Sequence, residues 1–131
     1  VAFAVHALLG LSAASQTARN LQRSRECVLN LPSQGQVVLV DRLALTTGAD
    51  AASGFFSERP VQLEAVVEAV HGIADAAAAQ RGRLLNIDVR VARVHLEASI
   101  LMSGLPNRVD PDKWRPLIMS LQKFYGLGTE Q

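Results

Sequence analysis

A single cysteine, Cys27, in a chain of 131 residues removes several devices at once. No intrachain disulfide can form, and neither a thiolate metal site nor a CxxC redox pair can be built. Set in the hydrophobic run ECVLNLP, Cys27 reads as an inert core thiol. Histidine is nearly as scarce: His6, His71 and His95 are the three present, and none stands in an HxH, HxxxH or Cys/His pattern. A metal centre would need a convergence that the spacing does not supply. His71 and His95 stand at comparable distances from the turn between the two long strands and could approach one another across the sheet, but the simpler reading of each is a hydrogen-bonded strand position near a rim.

Glycine-rich nucleotide loops are missing too, since there is no GxGxxG and no Walker A pattern, and no GxSxG elbow marks a hydrolase. Lysine is limited to Lys113 and Lys123, against eleven scattered arginines. With a net charge of +1 and 19% charged residues, the chain favours anionic ligands weakly and carries no nucleic-acid footprint. The opening VAFAVHALLGLSAA is apolar, but His6 interrupts it and it falls short of the roughly 20 residues of a spanning helix, so no membrane role is expected. It reads instead as a strand entering a polar turn at 12–16. A chain that opens in mid-strand without Met is expected to lack something upstream.

What is present is 49% hydrophobic and sufficient for one domain. In SAASQTARNLQRSRECVLNLPS, positions 12–33, Ser15 or Thr17 caps a helix over about 17–26 that turns Ala18 and Leu21 inward, and CVLNLP follows as a strand ended by Pro32. Positions 37–47, VVLVDRLALTT, suit a strand by composition and a helix closed by Gly48 by periodicity. GADAASGFFSERP has no period. From Val61 an alternation of apolar and polar residues argues for a long half-buried strand, with a helix as competitor because of Glu64, Glu68 and nearby alanines. A second alternating run follows the turn QRGR, with a change of phase at Arg93 that a β-bulge would produce. Asp110 caps a last helix with Pro111 in its first turn, and Pro116 is expected to kink that helix, which carries Trp114, Leu117, Ile118 and Leu121.

A helix start presents unpaired amides and roughly half a positive charge, which together suit a phosphate. Ser12, Ser15, Gln16 and Thr17 add donors there, and Arg19 or Arg23 adds charge if either side chain turns back. The simpler reading is a cap, which needs one hydroxyl. Asp110 and Asp112 read as a cap with first-turn charge rather than an acid pair. Trp114, Phe124 and Tyr125, half of the six aromatic residues, could line a flat ligand or pack on a sheet or a partner.

In their order and spacing, SQTARNLQRSRECVLNLPS, VDRLALTTG, PVQLEAVVEAVHG, VRVARVHLEASIL and DPDKWRPLIMSLQKFYGLG resemble the flavin reductase-like family with an FMN-binding split β-barrel. The resemblance covers nearly all of the chain from position 12 onward. It implies a mainly β fold, an antiparallel, Greek-key-like split β-barrel with peripheral helices, in one FMN-binding domain over 1–131. The long barrel strands would be 61–73 and 84–96. It further implies a cytoplasmic homodimer that transfers hydride from NADH or NADPH to flavin and serves, in some members, a monooxygenase partner. By resemblance Ser15, Gln16 and Thr17 hold the FMN phosphate with Asn20 close by, and Trp114 and Tyr125 pack near the flavin or across the dimer. The alternatives are a noncatalytic flavin-binding protein on the same fold, or an interaction module in which the helix start is only a cap. Family members also carry N-terminal strands and a longer excursion between Gly48 and Pro60, so both are expected to be missing from these residues.

Overall fold

The computed structural model describes residues 4–45 and 60–128. The expectations for Gly48 and for most of GADAASGFFSERP lie outside the described residues. The order is β1 (His6–Ser12), α1 (Gln16–Ser24), β2 (Glu26–Leu31), a 3-10 turn (Gln34–Gln36), α2 (Val37–Ala44), β3 (Val61–Ile73), β4 (Leu84–Leu96), a second 3-10 turn (Ala98–Ile100), β5 (Leu101–Met102), β6 (Leu105–Val109), α3 (Pro111–Trp114), β7 (Ile118–Ser120) and β8 (Lys123–Tyr125). The expected antiparallel, mainly β character is present: a four-stranded sheet in the order β1-β4-β3-β2, and two small two-stranded sheets, β5-β6 and β7-β8.

Two compact units divide the chain, one of Val1–Leu29 with Leu63–Val94, the other of Asn30–Gln62 with His95–Gln131. In the first unit β1 pairs antiparallel with β4, from His6 opposite Arg90 to Ser12 opposite Leu84. Side chains alternate faces along a strand, so Ala7, Leu9 and Leu11 point one way, and they pack with Cys27, Leu29 and Leu85 around the buried Leu21, Ala65, Val67, Ile87 and Val89. Burying a side chain such as Ile87 fully contributes about 1.5–3 kcal/mol. On the other face, ion pairs join the long strands at Arg90–Glu68 (2.6 Å) and Arg93–Glu64 (3.9 Å).

In the second unit the ambiguous segment at 37–44 is helical. The Gln36 side-chain oxygen accepts from the Ser33 backbone N–H at 3.1 Å just ahead of it, which turns the chain into a coil before the β-branched residues arrive. Asp110 caps α3 as expected, its carboxylate accepting from the amides of Asp112 (3.0 Å) and Lys113 (3.3 Å). The kinked continuation past Pro116 is not formed. Pro116 disfavours the right-handed helical region for the residue before it, and Arg115 ends α3 in the left-handed region at φ 45°. The residues expected to prolong the helix instead form a hairpin, with Ile118 opposite Tyr125 and Ser120 opposite Lys123. Its two-residue turn puts Leu121 (φ 48°) and Gln122 (φ 64°) both at positive φ, the primed geometry that matches strand twist.

Candidate functional site

The candidate site is built around the start of α1, and the sequence makes it locally. Ser15 takes extended backbone angles, and its Oγ accepts from Ala18 N at 3.1 Å while its carbonyl accepts from Arg19 N at 3.2 Å. Ala18 and Leu21, three apart, face the core at 0% and 4% exposure and anchor the helix to the sheet. At its far end the Arg25 amide returns to the Leu21 carbonyl at 2.9 Å, and Arg25, at φ 62°, reverses the chain into β2. Val67 N then donates to the Arg25 carbonyl at 2.8 Å, and an Arg25 guanidinium nitrogen donates to the Val67 carbonyl at 3.3 Å. The short helix is thus pinned at both ends. Ahead of it, Ala13 N donates to the Arg83 carbonyl at 2.9 Å, so the polar turn is also tied to the start of β4.

The four residues expected in this corner come together and divide the work. Ser15 is the cap. Gln16 donates to Asn20 Oδ1 at 2.8 Å and accepts from Arg19 Nη2 at 3.0 Å, while Arg19 Nη1 donates to the Ala14 carbonyl at 2.7 Å. The Arg19 guanidinium is thereby folded back over the turn, adding a full positive charge to the partial charge of the helix start. Arg23 bonds Asn20 Oδ1 at 3.4 Å and stays further along the helix. Thr17 is exposed and makes no side-chain hydrogen bond among the described residues. Of the first-turn amides, those of Ala18 and Arg19 are taken by Ser15, and those of Gln16 and Thr17 have no partner there. Two free amides, a free hydroxyl and a guanidinium at one helix end fit a phosphate group. Of the two arginines that the sequence offers for this charge, Arg19 is the one that turns back over the helix start.

Trp114 and Tyr125 belong to the second unit. Trp114 is half-buried at the end of α3, and its Nε1 is buried with no hydrogen-bond partner, an orphan donor that such residues rarely leave unused. Tyr125 is exposed on β8, paired with Ile118. Cys27 packs against the core, and burial raises its pKa. Among the described residues no group of three or more His, Cys, Asp or Glu is placed to hold a metal ion. No helix among them is long and apolar enough to cross a membrane. A shallow apolar depression of about 260 Å3 lies over β6, lined by Leu105, Pro106, Asn107 and Arg108.

The backbone path resembles several solved structures. The chain superposes on nitrilotriacetate monooxygenase component B from Bacillus cereus with a TM-score of 0.77 at 14% identity, covering 98% of this chain and 74% of that one. Flavoredoxin from Methanosarcina acetivorans matches with a TM-score of 0.74 at 15% identity, over 96% and 70% of the two chains. The fold is that of a flavin reductase-like split barrel. A third split barrel, the styrene monooxygenase flavin reductase from Pseudomonas putida S12, matches with a TM-score of 0.65 at 12% identity, over 96% of this chain and 73% of that one. In sequence, the uncharacterized Bacillus subtilis protein YdfE is 24% identical over 153 aligned residues, which span 94% of this chain and 70% of YdfE. No family model matches the sequence.

Proposed function

We propose that this chain is an FMN-binding oxidoreductase of the flavin reductase type, transferring hydride from NADH or NADPH to flavin. The observation that carries the reading is the split-barrel fold, shared over nearly the whole chain with a flavoredoxin and a flavin reductase, combined with a helix start whose free donors suit a phosphate. When bound, FMN supplies the two-electron acceptor. This chain's residues bind and orient it: the Gln16 and Thr17 amides, the Thr17 hydroxyl and the Arg19 guanidinium hold the phosphate, Ser15 fixes the turn that presents them, and Gln16 and Asn20 hold Arg19 and each other in place. Trp114 Nε1 is a donor suited to a ring carbonyl or to a carbonyl across a homodimer, and Tyr125 is the second aromatic residue assigned to that role.

The likeness to a monooxygenase component supports a monooxygenase that consumes reduced flavin as partner. A cytoplasmic location accords with a nicotinamide co-substrate and a lone thiol. The test is direct. After incubation with FMN and removal of the unbound cofactor, the protein should retain flavin absorbance, and stopped-flow mixing with NADH or NADPH should bleach it. Retained absorbance that neither nucleotide bleaches would leave a flavin-binding protein without this activity; no retained flavin would remove the reading altogether.

A further inference from the structure

Beyond α3 the chain makes a closed excursion. Arg115 holds both ends of it: its carbonyl accepts from Gln34 N at 2.8 Å, its Nε donates to Gln34 Oε1 at 3.4 Å, and its Nη2 donates to the Leu127 carbonyl at 3.0 Å. Gly126 admits this closure, because the Gln34 side-chain amide occupies the place where a Cβ would stand. Between the ends, β7 and β8 form a two-stranded sheet whose strands pair only with each other among the described residues. Two further ties lie at its base, the bridge of Ser33 with Pro116 and the bond from Leu117 N to the Pro32 carbonyl at 3.0 Å. The hairpin buries little: Phe124 is half-buried, whereas Ile118, Met119, Leu121 and Tyr125 are exposed.

An isolated two-stranded hairpin is marginal in water, and segments with few buried contacts and exposed hydrogen bonds open at low cost. We propose that residues 116–126 open and reclose as one piece, a compact loop latched by Arg115 on Gln34 and Leu127. Tyr125 rides on this loop and changes its surroundings whenever the latch releases. Nothing in this inference depends on a bound flavin.

Hydrogen exchange on the whole chain tests it, with the core amides of Ile87 and Val89 as the internal standard. The hairpin amides should exchange together, about 100-fold or more faster than that standard. Arg115→Ala should accelerate them about tenfold while Ile87 and Val89 keep their rates, and Gln34→Ala, which keeps Arg115 and its bond to Leu127, should give a smaller acceleration confined to the same residues. Hairpin protection equal to that of the core, no acceleration in Arg115→Ala, or an acceleration in Gln34→Ala that spreads equally to the core would overturn the proposal.

Discussion

Thr17→Ala separates the two things a hydroxyl can do at the start of α1. The cap is already supplied, since Ser15 Oγ accepts from Ala18 N at 3.1 Å, and the exposed Thr17 side chain has no bond to lose. Removing it should therefore change stability by less than about 0.5 kcal/mol, as for an ordinary surface substitution. Its effect on FMN should be much larger. A hydroxyl donating to a phosphate makes a charge-assisted bond of about 1.5–3 kcal/mol, so Kd should rise roughly 10- to 150-fold. Riboflavin has no phosphate, and its affinity should not move.

Ser15→Ala should do the reverse. Loss of the cap costs about 1 kcal/mol, a fall in Tm of about 4 °C for a domain of this size, and, because Ser15 acts only by fixing the turn that presents the donors, FMN should weaken less than in Thr17→Ala and riboflavin not at all. Titration calorimetry with both ligands, beside thermal unfolding of both variants, gives the four numbers required. If Thr17→Ala weakens riboflavin as much as FMN, or weakens neither, the phosphate is not held at this helix end and the assignment of Gln16, Thr17 and Arg19 fails with it.

Three other outcomes follow from the packing and backbone. Ile87→Ala, at a position with 0% exposure in the core of the first unit, should cost about 2–5 kcal/mol in urea unfolding. Replacing Leu121 and Gln122 together by Asn and Gly should raise stability by about 1 kcal/mol, because both positions hold positive φ and the 94% exposed Leu121 contributes almost no burial; no gain in Tm would count against the primed turn. Cys27, its pKa raised by burial above the ordinary value of 9.0, should react with iodoacetamide more slowly at pH 8 than a free thiol. Its linkage has a definite sign: the thiol is neutral in both states below the unfolded value, and above it the unfolded chain ionises first, so stability falls as pH rises through the folded value. A Cys27→Ala variant should lack that alkaline contribution.

Features decided within a few residues were legible in the sequence. The Ser15 cap, the inward Ala18 and Leu21, the end of β2 before Pro32 and the Asp110–Pro111 start of α3 each depend on local bonds or on proline geometry, and the structure reproduces them. The long alternations of β3 and β4 were legible for another reason, since one buried face imposes a period of two whatever the partner strand. Where two periods fit, as at 37–44, hydrophobic spacing was silent. A signal does lie just upstream, in the Ser33-x-x-Gln36 capping box, which opens the 3-10 turn that runs directly into α2.

The tail shows why the surroundings of Trp114 and Tyr125 were harder to read. Trp114, Leu117, Ile118 and Leu121 have the spacing of one helical stripe, and a helix would have gathered them on a single face. Pro116 removes that possibility by acting on Arg115, and the left-handed Arg115 sends the chain toward Pro32 and Gln34, far away in sequence. The stripe is then dismantled: Trp114 stays half-buried on α3, Ile118 pairs with Tyr125, and Leu121 becomes the exposed tip of a turn. Local proline geometry breaks the stripe, and the Arg115 guanidinium then closes the excursion on Gln34 and Leu127. Ile118 thus meets Tyr125 across the hairpin, while Arg115, to which no periodicity in the sequence points, closes the excursion that carries both.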